Sequence, residues 1–215
     1  MMMEETFLEE FQTLAALGPR RVAIDVGANL GDWTRWMASH FDEVVALEPD
    51  WRARGMMRQL GIPANATLLP VAAGPACGEG QVYLRDDNRQ SSMQAEHPIG
   101  GGDQRAVATV DVDTVGVLTL SAVAEWAESI WPGHKVDMVK IDAEGFEHEV
   151  LAGIASLSPL FDSTRWIIEV HDRVDEVREQ LQRLGLDKIR VLRHPNAGAH
   201  PNHLWVYIPA RGEAS

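Results

Sequence analysis

The stretch Ile24-Asp25-Val26-Gly27-Ala28-Asn29-Leu30-Gly31-Asp32 decides the fold. On its left, Arg21 to Val26 is a short apolar run that predicts a buried strand. On its right, Asp32 to His40 predicts a helix. Glycines between the two permit a sharp corner and the close approach of a ligand to the backbone. The helix N-terminus presents free N–H groups beside that corner. In open α/β sheets ligands lie at the carboxyl ends of strands, which is where this corner falls.

The same alternation continues outward. Glu43 to Leu47 predicts a second buried strand, Trp51 to Leu60 a helix closed by Gly61, and Ala66 to Ala73 a third strand. Val82 to Leu84 is a short extended piece, and Thr109 to Val115 alternates like an edge strand. Helices are expected over Leu120 to Ile130, Phe146 to Leu157 and Val174 to Leu184, and strands over Val136 to Ile141, Arg165 to Val170, Lys188 to Leu192 and Leu204 to Ile208. Strand alternating with helix argues for a doubly wound, mostly parallel α/β sheet covered on both faces. The last two strands are joined only by a loop, so the final strand should run antiparallel. An amphipathic N-terminal helix within residues 1–19, carrying Phe7, Leu8, Phe11 and Leu14, precedes one domain over residues 20–210.

Composition narrows the function. The 215 residues carry a formal net charge of −13, which on average repels a polyanion, so a nucleic-acid partner is not expected. No apolar run approaches the roughly 20 residues that cross a bilayer. The opening Met-Met-Met-Glu-Glu lacks the order of a secretory signal, and a cytoplasmic, non-membrane protein is expected. Cys77, the one cysteine, excludes an internal disulfide and sits in a Gly-rich turn as an incidental thiol. The composition leaves the oligomeric state open.

The glycine corner also discriminates between cofactors. A dinucleotide fingerprint needs a middle glycine that admits a pyrophosphate, and here that position is Asn29. Asp25 would repel the same phosphates. S-adenosylmethionine has none, and its α-ammonium suits a nearby acid. Glu48 ends the second strand 23 positions after Asp25, the spacing at which an acid accepts hydrogen bonds from ribose hydroxyls. Taken alone, the glycines form a tight turn and Glu48 a solvated strand end; on consecutive strands they point to a cofactor site.

A second group of acids closes two later strands. Asp142 and Glu144 are two apart, as are Glu169 and His171, so in extended backbone each pair points to one side. Methyl transfer from a sulfonium is an in-line displacement that needs an aligned, deprotonated nucleophile. His171 suits a general base, because an unperturbed imidazole titrates near pH 6.5, about where a base is useful. Asp142, Glu144 and Glu169 can orient it, hold the acceptor or bind a hard divalent cation. No residue is assigned as a metal ligand, since oxygen clusters at strand ends are often substrate sites. The bland readings are that Asp142 caps a turn or pairs with Lys140 and that Glu169 pairs with an arginine. The loop Asp87 to Ser92 is placed to fold over the crevice, and Trp33 and Trp36 to line a pocket. His194, His200 and His203 lack metal-ligand spacing and read as a connecting loop.

Four stretches then carry a family resemblance: Ile24 to Gly31, Val45 to Pro49, Val139-Lys-Ile-Asp-Ala-Glu-Gly145 with Glu147, Val150, Leu151 and Gly153, and Ile168 to His171. They resemble the FkbM family of S-adenosylmethionine-dependent methyltransferases over roughly residues 20 to 192. Asp32-Trp33 departs from the pair often seen there. The resemblance implies a seven-stranded class I methyltransferase sheet of Rossmann-like kind, with the last strand antiparallel. It implies methylation of a hydroxyl, commonly on a sugar or secondary metabolite, and places Val71 to Gly74 beside the adenine. The expected cofactor contacts are Asp25, Gly27, Ala28, Asn29, Gly31, Glu48, Pro49, Ala72 and Asp142. The expected catalytic groups are Asp142, Glu144, Glu169 and His171, acting on a small-molecule acceptor. The rivals are an N- or carboxyl-methyltransferase, which needs less base catalysis; a nicotinamide oxidoreductase, which Asn29 opposes; and a non-catalytic cofactor-binding module, which has no use for the gathered acids.

Overall fold

In the computed structural model, residues 18–85, 91–94, 109–154, 159–171, 173–193 and 204–210 are described. In chain order the elements are β1 (Val22–Val26), α1 (Asp32–Ala38), β2 (Glu43–Leu47), α2 (Trp51–Leu60), β3 (Ala66–Leu69), β4 (Val71–Ala73), β5 (Gly78–Arg85) and β6 (Thr109–Leu118). They continue as α3 (Leu120–Ile130), β7 (Val136–Ile141), α4 (Glu147–Ala152), β8 (Arg165–Val170), α5 (Val174–Arg183), β9 (Arg190–Arg193) and β10 (Leu204–Ile208). The helix expected over 1–19 falls on residues outside this description, apart from Gly18 and Pro19, as do His194, His200 and His203.

Seven strands form the main sheet in the order β3-β2-β1-β7-β8-β10-β9. Neighbours are parallel except at β10, which runs antiparallel to both β8 and β9. The fold is the seven-stranded, mostly parallel sheet of class I methyltransferases. Among the described residues, no helix is long and apolar enough to cross a membrane.

The continuous apolar runs have a direct cause. Every residue of β1, β7 and β8 is buried, because both faces of these central strands are covered. Alternation then sorts their side chains. Val22, Ile24, Val26, Val139 and Ile141 join a core with Leu120 and Val123 of α3, Val150 of α4 and Val177 of α5. On the opposite face, Ala23, Val44, Met138, Ile167, Trp205 and Tyr207 pack with Trp33 and Met37 of α1. Helix starts are capped where the chain must turn: the Asp50 carboxylate accepts from Arg52 N at 2.8 Å, and Thr119 Oγ1 from Ala122 N at 3.1 Å.

Three expectations are corrected. The run Ala66 to Ala73 is two strands, split at Pro70, whose missing N–H interrupts the ladder. Only β3 stays in the main sheet; β4 pairs with β6. Thr109 to Val115 is not an edge of the main sheet: β6 is the middle strand of a separate sheet, β4-β6-β5, and β5 is far longer than the apolar Val82 to Leu84. Helix α4 stops at Ala152, short of Leu157. There a Cβ on Gly153 would overlap the Gly74 carbonyl.

Candidate active site

The sequence runs β1, β2, β3 toward one edge of the main sheet and then crosses back to place β7 on the other side of β1. This reversal opens a crevice at the carboxyl ends of β1 and β7. Gly27 and Asp142 meet there. Asp142 N donates to Val26 O at 3.1 Å, and a Cβ on Gly27 would overlap the Asp142 carbonyl. Gly27 has φ +71, so glycine is demanded by both the turn and the neighbouring strand.

An open cleft of about 580 Å³ lies over this junction. Gly27, Asn29, Glu48, Pro49, Ala72, Asp142 and Glu144 line it, all of them expected site residues. Asn29 adopts a left-handed conformation (φ 49), which turns its backbone N–H onto Glu48 Oε2 at 2.7 Å. Asp50 N donates to the other oxygen, Oε1, also at 2.7 Å. Burial dominates at Glu48 and pushes its carboxyl up to about 7, against the pull of those two N–H groups. Glu48 is therefore a positioned, poorly solvated acceptor that a pair of hydroxyls would complete. Val71, Val82 and Phe146 supply apolar wall beside it.

Three expected cofactor contacts lie elsewhere. Asp25 is fully buried inside β1 on the α1 side, where Thr34 Oγ1 donates to it at 2.6 Å and Lys140 Nζ lies 3.2 Å away. Its charge is used within the core and does not face the cleft. Ala28 packs with Ala46 and Met57, and Gly31, at φ +84, begins α1 against the Met57 side chain. Trp33 and Trp36 are likewise no part of the cleft wall; Trp33 is buried against Trp205 with ring centroids 5.8 Å apart.

Ser91 and Ser92 do reach the cleft, as expected of their loop; residues 86–90 lie outside the description. Ser91 Oγ donates to Asp50 Oδ2 at 2.9 Å, and Ser92 Oγ donates to the Glu144 carbonyl at 2.7 Å. Residues 91–94 thus bridge from the start of α2 to the turn after β7.

On the far side of that turn the four expected catalytic groups come together. His171 Nε2 lies 3.4 Å from Glu144 Oε2, 3.8 Å from Asp142 Oδ1 and 3.9 Å from Glu169 Oε1. Asp142 also faces Lys140 Nζ at 3.5 Å, so the bland pairing holds together with the clustering. Among the described residues, Asp142 Oδ1 has no hydrogen-bond partner. Burial alone would raise the Asp142 carboxyl, but Lys140 and His171 hold it below the usual range. Glu169 is pushed well up by burial and by the Asp142 charge. For His171, burial would favour the neutral ring, yet Glu144, Glu147 and Glu169 together raise its pKa well above the ordinary value. The surrounding carboxylates thus favour the charged ring over the simple picture of a base poised near 6.5. Among the described residues, Asp142, Glu144 and His171 each offer one atom within 4.8 Å of the others, a geometry that could hold a divalent cation.

Glu147 was not among the expected site groups. It is buried at the start of α4 and reaches back into the 142–145 turn. Its signals are its place in the family-like stretch after Gly145 and its position as an acid in the first turn of a helix.

Comparison with known proteins decides what this arrangement belongs to: residues 25–188 match the methyltransferase FkbM domain. The chain belongs to the FkbM methyltransferase family. Its domain is accordingly an S-adenosylmethionine-dependent methyltransferase domain. Solved structures share the fold at low identity. The methyltransferase FkbM from Methylobacillus flagellatus KT matches with TM-score 0.51 and 13% identity, over 90% of this chain and 45% of that one. This FkbM-family chain thus spans less than half the length of that protein. An rRNA methylase from Streptococcus thermophilus gives 0.52 and 14%, over 98% of this chain and 100% of that chain. A precorrin-6y C5,15-methyltransferase from Geobacter metallireducens GS-15 gives 0.52 and 12%, over 97% of this chain and 89% of that one. Comparison with curated proteins finds no match.

Proposed function

We propose that this FkbM-family chain is an O-methyltransferase that acts on a hydroxyl of a sugar or secondary metabolite. The observation that carries this reading is the cluster of Asp142, Glu144, Glu169 and His171 beside the cleft. A hydroxyl gives up its proton poorly at neutral pH, so its methylation calls for groups that bind the O–H and take the proton. Amine methylation has much less need of them.

When bound, S-adenosylmethionine supplies the methyl group on a sulfonium. Glu48, already held by two N–H groups, is proposed to accept from its ribose hydroxyls, with Gly27 and Asn29 along the same wall and Pro49 and Ala72 flanking the adenine. Asp142 Oδ1, which takes no hydrogen bond from the described residues, then accepts the O–H of the acceptor and aligns its oxygen. His171 Nε2 and Glu169 form the route by which the proton leaves, the neutral ring taking it at Nε2 and passing it on to solvent.

One observation favours a second reading of the same step. If Asp142, Glu144 and His171 hold a divalent cation, that cation supplies Lewis acidity toward the acceptor oxygen. Loss of methyl transfer on chelation, restored by Mg²⁺ or Mn²⁺ alone, distinguishes this version from proton transfer by the side chains.

The test is a screen of hydroxyl and amine acceptors with His171→Ala and Asp142→Asn. Each variant should lose about 10²- to 10⁴-fold in turnover on hydroxyls while still binding S-adenosylhomocysteine. An amine acceptor turned over equally well by His171→Ala would mean that nitrogen, not oxygen, is methylated.

A further inference from the structure

Three donors converge on one oxygen of Glu147. Ala143 N reaches Oε1 at 3.1 Å, Gly145 N at 3.0 Å and His171 Nδ1 at 3.0 Å. Glu147 is buried, and it does not line the cleft. We propose that Glu147 is a positioning residue that sets both the acceptor-side turn and the ring of His171. The proposal rests on the reading of Asp142 and His171 as acceptor groups.

The chemistry at the oxygen leaves little freedom. A carboxylate only accepts, so His171 Nδ1 must carry its hydrogen and donate it. The other nitrogen, Nε2, is then the one turned toward Glu144, Asp142 and Glu169. A ring fixed in this way can exchange a proton at Nε2 alone. An acidic partner that orients a working imidazole through its far nitrogen is a recurring device, and its removal costs about 10- to 100-fold where it orients a metal ligand.

The backbone side of the contact is equally specific. Glu144 and Gly145 follow one another in the left-handed region, at φ 50 and φ 90. That conformation is unfavourable for Glu144 and persists only where surroundings enforce it. Glu147 enforces it by taking the N–H of Gly145, and of Ala143 on the other side of Glu144. The same carboxylate therefore aims the Glu144 side chain at His171 from one direction and His171 at Glu144 from the other.

The experiment compares the wild-type protein with Glu147→Gln and Glu147→Ala at one fixed pH. In the wild type, ¹⁵N-labelled histidine should show a downfield Nδ1–H of His171 that exchanges slowly with water. The glutamine oxygen can keep that bond, whereas alanine cannot, so the resonance should survive in Glu147→Gln and vanish in Glu147→Ala. Turnover should fall about 10- to 100-fold in Glu147→Ala and be partly rescued in Glu147→Gln, with S-adenosylhomocysteine affinity within about twofold of wild type in both. A wild-type ring whose Nδ1 carries no protected hydrogen overturns the proposal without any variant having to fold. Equal turnover in all three proteins, with the resonance behaving as expected, upholds the ring contact and overturns instead the placement of His171 at the acceptor.

Discussion

The ammonium of Lys140 lies 3.2 Å from Oδ1 of Asp25, and neither side chain has measurable exposure beyond 1%. Lys140 also donates to the carbonyls of Val26 at 3.3 Å and Gly27 at 2.9 Å. One buried cation thus ties the end of β1 to the end of β7. Replacing Lys140 by Met should leave Asp25 as an uncompensated buried charge and cost about 3–5 kcal/mol of stability. Urea denaturation reads this directly, and the double variant Asp25→Asn, Lys140→Met should recover part of the loss. A single-variant cost below about 1 kcal/mol would show that the pair does not hold the junction together.

Gly27 and Gly55 predict opposite results from the same substitution. Gly27→Ala forces a side chain into the Asp142 carbonyl at φ +71, and should both destabilise the protein by more than about 1 kcal/mol and weaken S-adenosylhomocysteine binding. Gly55 lies within α2 with nothing within 4 Å of a built Cβ. Gly55→Ala should stabilise by about 0.4–1 kcal/mol and leave binding alone, as thermal melts and calorimetry can establish.

If Glu48 holds the ribose as proposed, cofactor binding should depend on pH. Its folded-state carboxyl is raised from 4.5 to about 7, so the folded protein binds a proton that the unfolded chain has released. Stability of the unliganded protein should therefore fall as pH rises from about 4.5 through about 7. Affinity for S-adenosylhomocysteine should move the other way, rising over the same window as Glu48 becomes an all-acceptor carboxylate. Thermal melts from pH 5.5 to 8.5 test the first sign and calorimetric titration over the same range the second, and Glu48→Gln should flatten the affinity profile.

Ser92 anchors the segment that crosses the cleft. Its hydroxyl donates to the Glu144 carbonyl and accepts from Gln94 N at 3.1 Å. Ser92→Ala removes both bonds, at a net cost near 1 kcal/mol each or less. The expected readout is faster amide exchange over residues 91–94 with the core protection unchanged. Equal exchange in the two proteins would mean that the Ser92 hydroxyl does not hold the segment, leaving that to the backbone bridge to Tyr83 and the Ser91 bond to Asp50.

Much of this was legible in order along the chain. β1, β2, β7 and β8 are buried on both faces, which writes them as unbroken apolar runs bounded by acids and glycine, so strands, rim and the Asp142–His171 group could be read together. The errors came where a local pattern is overridden at a distance. Nothing around Asp25 says that Lys140, on a strand more than a hundred residues later, will claim its charge. β5 begins with Gly78-Glu79-Gly80-Gln81, which has no apolar period and is strand only because the β6 backbone pairs with it. Glu147 stands in the family-like stretch, but its role is hidden for a different reason: it reaches backward over a turn, and spacing rules look forward.

Pro70 is the joint where the chain leaves the main sheet for the small one, and β6 leads back through α3 to β7, so β4, β5, β6 and residues 91–94 form a side module beside the cleft. An insertion or deletion beyond that joint would reshape one wall of the cleft without shifting the register of any strand in the main sheet. Relatives could thereby alter one wall while the main-sheet strand ends that carry Gly27, Glu48 and Asp142 are inherited intact.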